Sequence, residues 1–172
     1  MPSTNFTVLP ASSRVYVFAA SRPLSAPETT QLLEQVDAFI AGWQSHQDPV
    51  TAARDWRYDQ FLLIGVDERS TSLSGCSIDA MTRIFKAMEN QLGVSLLDSS
   101  AIYYRDAGTI RRASREEFRA LVRDGRVTPD TIVFNNTVAR LSDLDHAWEI
   151  PFRESWHAKA FPLPSSVGLE NK

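Results

Sequence analysis

The chain has 172 residues, 43% hydrophobic and 23% charged, with 18 basic against 21 acidic residues for a net charge of −3. That length and balance suit one ordinary globular domain with a real core and argue against a disordered chain. The charge gives no overall pull toward nucleic acid or an anionic membrane, and a single cysteine excludes a disulfide framework within the chain and any four-cysteine zinc site.

Fifteen of the basic residues are Arg, with Lys only at 86, 159 and 172. No stretch approaches the roughly 20 apolar residues that cross a bilayer. Met1-Pro2-Ser3-Thr4-Asn5 has neither the positive region nor the apolar run of a secretory signal. The expectation is a cytoplasmic protein with no membrane partner.

Residues 1–13 are polar and read as a loosely held arm. Arg14 to Ala20 is β-branched and aromatic and predicts a strand. Ser25 and Glu28 form an S-x-x-E capping box with Pro27 in the first turn. Leu32, Leu33, Val36, Phe39, Ile40 and Trp43 then make one helical stripe, predicting a helix to about His46. Asp48-Pro49 ends it, and residues 50–57 read as an irregular or briefly helical connection.

Tyr58 to Val66 contains an unbroken apolar run and predicts a central strand covered on both faces. Ile78, Met81, Ile84, Phe85, Met88 and Leu92 form a second helical stripe, stopped by Gly93. Residues 101–105 and 109–113 predict a hairpin, with Gly108 supplying the positive φ of its turn. Ser114 and Glu117 make a second capping box, opening a helix that buries Phe118, Leu121 and Val122 and stops at Gly125. Thr131 to Val138 predicts another strand. Residues 142–161 hold two of the four Trp and two of the three His, with no clear periodicity, and Pro162 onward reads as a tail.

The expected fold is therefore α/β in the mixed α+β sense. It is a single domain over 14–161 with loosely ordered termini at 1–13 and 162–172. The order is β-α-β-α-β-β-α-β plus a C-terminal extension, around a mixed, partly parallel sheet of about four to six strands.

The stretch Ser70 to Asp79 joins the apolar strand to the second helix and carries the one cysteine. Backbone N–H groups at a helix start bind anions, which makes Ser74, Gly75, Ser77 and Asp79 candidate ligand contacts. The loop has no G-x-x-x-x-G-K-[ST], and it is not a thiol-phosphatase loop, since position 82 is Thr and Arg83 comes one place late. The plainer reading is a serine turn that caps the helix through Ser74 or Ser77.

Cys76 is a candidate nucleophile because a helix N-terminus lowers a thiol pKa, although Asp79 opposes this. It needs a base, for which His157 and His46 are the first candidates and His146 the remaining one. No pair of ligands has metal-site spacing, so no metal and no cofactor is expected.

Arg115, Arg119 and Arg123 fall at i, i+4 and i+8 of the third helix. From Arg105 to Arg126 seven Arg face four acids, a local +3. With Tyr103 and Tyr104 nearby, this stripe is a candidate for single-stranded nucleic acid or a phosphate ligand. The interleaved acids weigh against nucleic acid and for a solvated face.

Four stretches together resemble a family of small uncharacterised bacterial proteins: Val15 to Leu24, Ser74-Gly75-Cys76-Ser77-Ile78-Asp79, Val133-Phe134-Asn135-Asn136 and Ser155-Trp156-His157. Members sometimes carry the label "ABC transporter ATPase", which this chain contradicts by lacking a Walker A loop and an ABC signature. The resemblance implies a grouping and no activity. The functional expectation is a small domain binding a small anionic ligand or a partner through the 70–79 loop. The alternatives are a thiol enzyme with Cys76 as nucleophile and binding through the Arg stripe.

Overall fold

The computed structural model describes residues 6–165. The protein is mixed α+β. In chain order the strands are β1 (Arg14–Ala19), β2 (Gln44–Ser45), β3 (Asp48–Pro49), β4 (Thr51–Arg57), β5 (Phe61–Asp67), β6 (Ile102–Asp106), β7 (Thr109–Ala113), β8 (Ile132–Phe134) and β9 (Glu149–Pro151). The helices are α1 (Ala26–Gly42), α2 (Gly75–Leu92), α3 (Arg115–Arg123), α4 (Leu144–Ala147) and α5 (His157–Ala160). The described residues pack as two compact units, one taking in residues 6–98 and Asn136–Leu144, the other Ser99–Asn135 and residues 145–165.

In the first unit the strand order is β1-β5-β4 and both pairings are antiparallel. The apolar run is the central strand, buried along its whole length. Side chains alternate across a strand, so its two faces need separate covers. Leu62, Ile64 and Val66 join a cluster with Leu32, Val36 and Ile40 of α1 and Met81, Phe85 and Met88 of α2. On the other face Gly65 sits against Leu9 and Phe6. A Cβ added there would lie 2.6 Å from Leu9 Cδ1. The expected loose arm is therefore packed from Phe6 to Ser13, with Phe6 and Leu9 buried; residues 1–5 lie outside the described ones.

Residues 51–57 correct the sequence expectation. They form β4, paired along its full length with β5 from Thr51↔Asp67 to Arg57↔Phe61. Asp and, less strongly, Ala are depleted in strands, so the pairing comes from the neighbouring strand more than from local preference. The connecting turn holds Tyr58 and Asp59 at positive φ. Gln60 anchors it, donating from Nε2 to Ala20 O at 2.9 Å. Helix α1 also stops short of His46, at Gly42, because the chain turns back as the β2–β3 hairpin with His46 and Gln47 at positive φ.

The second unit has the order β7-β6-β8-β9, again antiparallel throughout, so the expected parallel pairing is absent among the described strands. The hairpin turn sits at Ala107 and Gly108, both at positive φ. The strand expected over 131–138 covers only Ile132–Phe134. From residue 136 the chain passes into the first unit, where Ala139 O accepts from Val15 N at 2.9 Å.

The core of the second unit gathers on one ring. Phe118 is fully buried and meets Tyr104, Phe152, His157 and Phe161 with centroids 5.2–6.1 Å apart. The unassigned C-terminal stretch supplies three of those four partners.

Candidate ligand site

The 70–79 loop is built from serines that satisfy one another. Ser74 is the N-cap of α2, its Oγ accepting from Ser77 N at 3.2 Å. Ser77 Oγ donates back to Ser74 O at 2.7 Å. Ser45 Oγ donates to Ser72 O at 2.6 Å and accepts from Ser74 N at 2.9 Å, tying the loop to the β2–β3 hairpin. Trp43 Nε1 closes the set by donating to Ser77 O at 3.0 Å. Ser74 and Ser77 are thus brought together, but to cap the helix, and their hydroxyls are committed. Gly75 and Asp79 are exposed on the same first turns.

Cys76 is exposed on the first turn of α2, and its thiol is free of any disulfide. His46 is exposed in the β2–β3 turn and His146 on α4. His157 is 1% exposed. Its ring stacks on Trp156 with centroids 3.9 Å apart and tilts against Phe118.

The Ser155 hydroxyl hydrogen is used on Phe152 O at 2.9 Å, so Ser155 Oγ accepts from His157 N and lies 3.1 Å from Nδ1. That assigns the ring proton to Nδ1. Burial, with help from the charge of Arg115, pushes its pKa down to about 4. His157 is a neutral core residue. A catalytic base for Cys76 is not assembled by any contact among the described residues of the first unit, and no group of three metal-ligating side chains gathers among the described residues.

The Arg stripe is where side chains remain open. Helix α3 starts at the predicted capping box, with Ser114 Oγ accepting from Glu117 N at 3.1 Å and Ser114 N donating to Glu117 at 2.9 Å. That fixes the helix phase, placing Phe118 and Val122 inward and Arg115, Arg119 and Arg123 outward. The Arg115 guanidinium lies over the rings of Phe161 (5.2 Å) and Trp156 (5.8 Å), and that of Arg119 over Phe161 at 5.5 Å. Neither Arg115 nor Arg119 has a carboxylate partner among the described residues. Arg123 has one, Asp124 Oδ1 at 3.3 Å.

Beside them is a pocket of about 360 Å³, lined by Arg119, Val122, Arg123, Phe161, Pro162 and Pro164. Its floor is apolar and its two charged lining residues are guanidinium groups. A ring face attracts a cation without neutralising it, so Arg119 brings an uncancelled charge to the pocket lining.

Sequence reasoning found Arg115, Arg119 and Arg123. It missed Phe161, Pro162 and Pro164, which read as the end of an unassigned stretch and the start of a tail; residues 166–172 of that tail lie outside the described ones. The only signal was an aromatic residue followed by alternating prolines, which carries no mark of the helix it lies against.

No helix among the described residues is long and apolar enough to cross a membrane. No family model matches the chain, and neither the curated proteins nor the solved structures contain a match to it.

Proposed function

We propose that this chain is a small ligand-binding module, without catalysis of its own, that takes a small anionic ligand at the Arg face of α3. The observation that carries the reading is the pocket of about 360 Å³ with an apolar floor and Arg119 at its mouth. Its volume is within the roughly 300–1,000 Å³ of small-molecule sites, at the small end. Arg119 is already held on Phe161, so little side-chain freedom remains to be lost when an anion binds. The Ser74 and Ser77 hydroxyls of the 70–79 loop are engaged in capping α2, which favours the Arg face over that loop as the anion site.

Calorimetric titration of the full chain with small organic anions tests the reading, with Arg119→Ala as the comparison. Binding that weakens about tenfold or more in the variant, as expected for a lost charge-assisted hydrogen bond, supports it. Equal affinity in both proteins, or no binding by either, refutes it. Binding of a single-stranded oligonucleotide with steep salt dependence, in place of small anions, assigns the Arg stripe to nucleic acid instead.

A further inference from the structure

We infer that the ligand of the α3 pocket is a monocarboxylate with a hydrocarbon body, an arylalkyl or short alkyl acid. This rests on the anion-binding reading above and narrows it. Three features of the pocket carry it.

The first is the floor. Val122, Phe161, Pro162 and Pro164 present carbon, and proline has no backbone N–H to offer. A nucleobase or sugar seated there would leave its edge donors and acceptors without partners, and buried polar groups without partners are strongly disfavoured. An alkyl or phenyl body loses nothing on entering.

The second is the count of charge at the mouth. Of the two lining guanidinium groups, Arg123 is shared with Asp124, which leaves Arg119 as the lining cation with no acid partner among the described residues. One open cation matches a monoanion. A phosphate near its dianionic form would require a second.

The third is shape. A guanidinium offers two parallel N–H bonds to a planar carboxylate, a geometry that lysine or a backbone nest does not reproduce. Arg119 lies over the Phe161 ring, so an acid head held in its fork has the apolar lining beside it.

The experiment is a calorimetric series on the full chain at fixed salt with 4-phenylbutanoate, 4-phenylbutyl phosphate, 4-phenylbutanol and adenosine monophosphate, repeated on Arg119→Ala and Arg119→Lys. Arg119 is exposed, so both variants keep the core, and circular dichroism checks that they do. The expected result is that the carboxylate binds about tenfold or more tighter than the other three. Arg119→Ala abolishes that preference, and Arg119→Lys, which keeps the charge and loses the fork, restores only part of it.

If either phosphate binds as tightly as the carboxylate and both depend on Arg119, the carboxylate inference falls while the anion reading survives. If the alcohol binds as tightly as the acid, or no compound binds, both fall.

Discussion

The carboxylate-paired arginines of the first unit and the α3 arginines Arg115 and Arg119 of the second are held in opposite ways. In the first, the guanidinium groups of Arg22 and Arg54 each make two hydrogen bonds to one carboxylate, on Glu28 and Asp37, and that of Arg69 makes three to Asp67, all at 2.8–3.2 Å. In the second, Arg115 and Arg119 lie on the rings of Phe161 and Trp156. A carboxylate fixes a guanidinium by cancelling its charge. A ring fixes it and leaves the charge in place. The same residue type is therefore structural in those pairs and available on α3, even though elsewhere in the second unit Arg105 is paired with Glu149 at 2.7 Å, and net charge does not separate the two cases.

The cores differ in the same sense. The first is mainly aliphatic, spread over α1, α2 and the central strand. The second depends on Phe118 and the aromatic residues touching it. The sharpest way to break that contrast is Phe118→Ala. Phe118 is fully buried, and such truncations cost about 3–5 kcal/mol. Hydrogen exchange is expected to show α3 and β6 amides losing protection while β5 amides keep theirs. Equal loss in β5 would mean that the two units do not open separately.

Acid gives the next largest effect. His157 is held at about 4 in the folded protein, against an ordinary value near 6.5. Between those values the unfolded chain binds a proton that the folded one does not, so stability falls as pH drops from 6.5 toward 4 and levels off below. The full difference is about 3 kcal/mol.

The acids of the first unit shift the other way. Arg22 holds Glu28 down at about 2, and Arg69 holds Asp67 below its usual range. What those pairs contribute is present above pH 4.5 and is lost only below it. Urea denaturation at pH 7 and pH 5 is expected to show a loss for the wild type and almost none for His157→Phe. A wild type equally stable at both would rule out the buried neutral histidine.

The smallest effect tests the cover of the central strand. Gly65→Ala would place a Cβ 2.6 Å from Leu9 Cδ1 and 3.0 Å from Phe6 Cε2. In an uncovered strand alanine is the better residue; beneath the packed arm it is expected to cost about 1–2 kcal/mol. Limited proteolysis is expected to cut the variant first within residues 6–13. A stabilised variant with an intact arm would show that the arm does not cover Gly65 in solution.

The elements legible from the sequence are those set by neighbours a few residues apart. Ser25 with Glu28 and Ser114 with Glu117 do form capping boxes, Ser74 caps α2, Gly93 ends it in the left-handed region, and Gly108 completes the hairpin turn. Each is an interaction over a few residues, and a cap leaves its trace in the residues that make it. The apolar run over Phe61–Val66 likewise announced a strand covered on both faces, although not what covers it.

Strand partners and the site were decided at long range. β4 is a strand because β5 lies beside it, Gly65 is glycine because Leu9 crosses it, and the pocket exists because Phe161 lies under Arg119. None of these partners is marked locally, because pairing and packing join residues that chain spacing does not relate. By itself the sequence determined α1, α2 and α3, their caps and the β6–β7 hairpin. The tertiary structure decided that every strand pair among the described residues is antiparallel, that the cysteine loop caps α2, and that Arg115 and Arg119 are held on aromatic rings with no acid partner among the described residues.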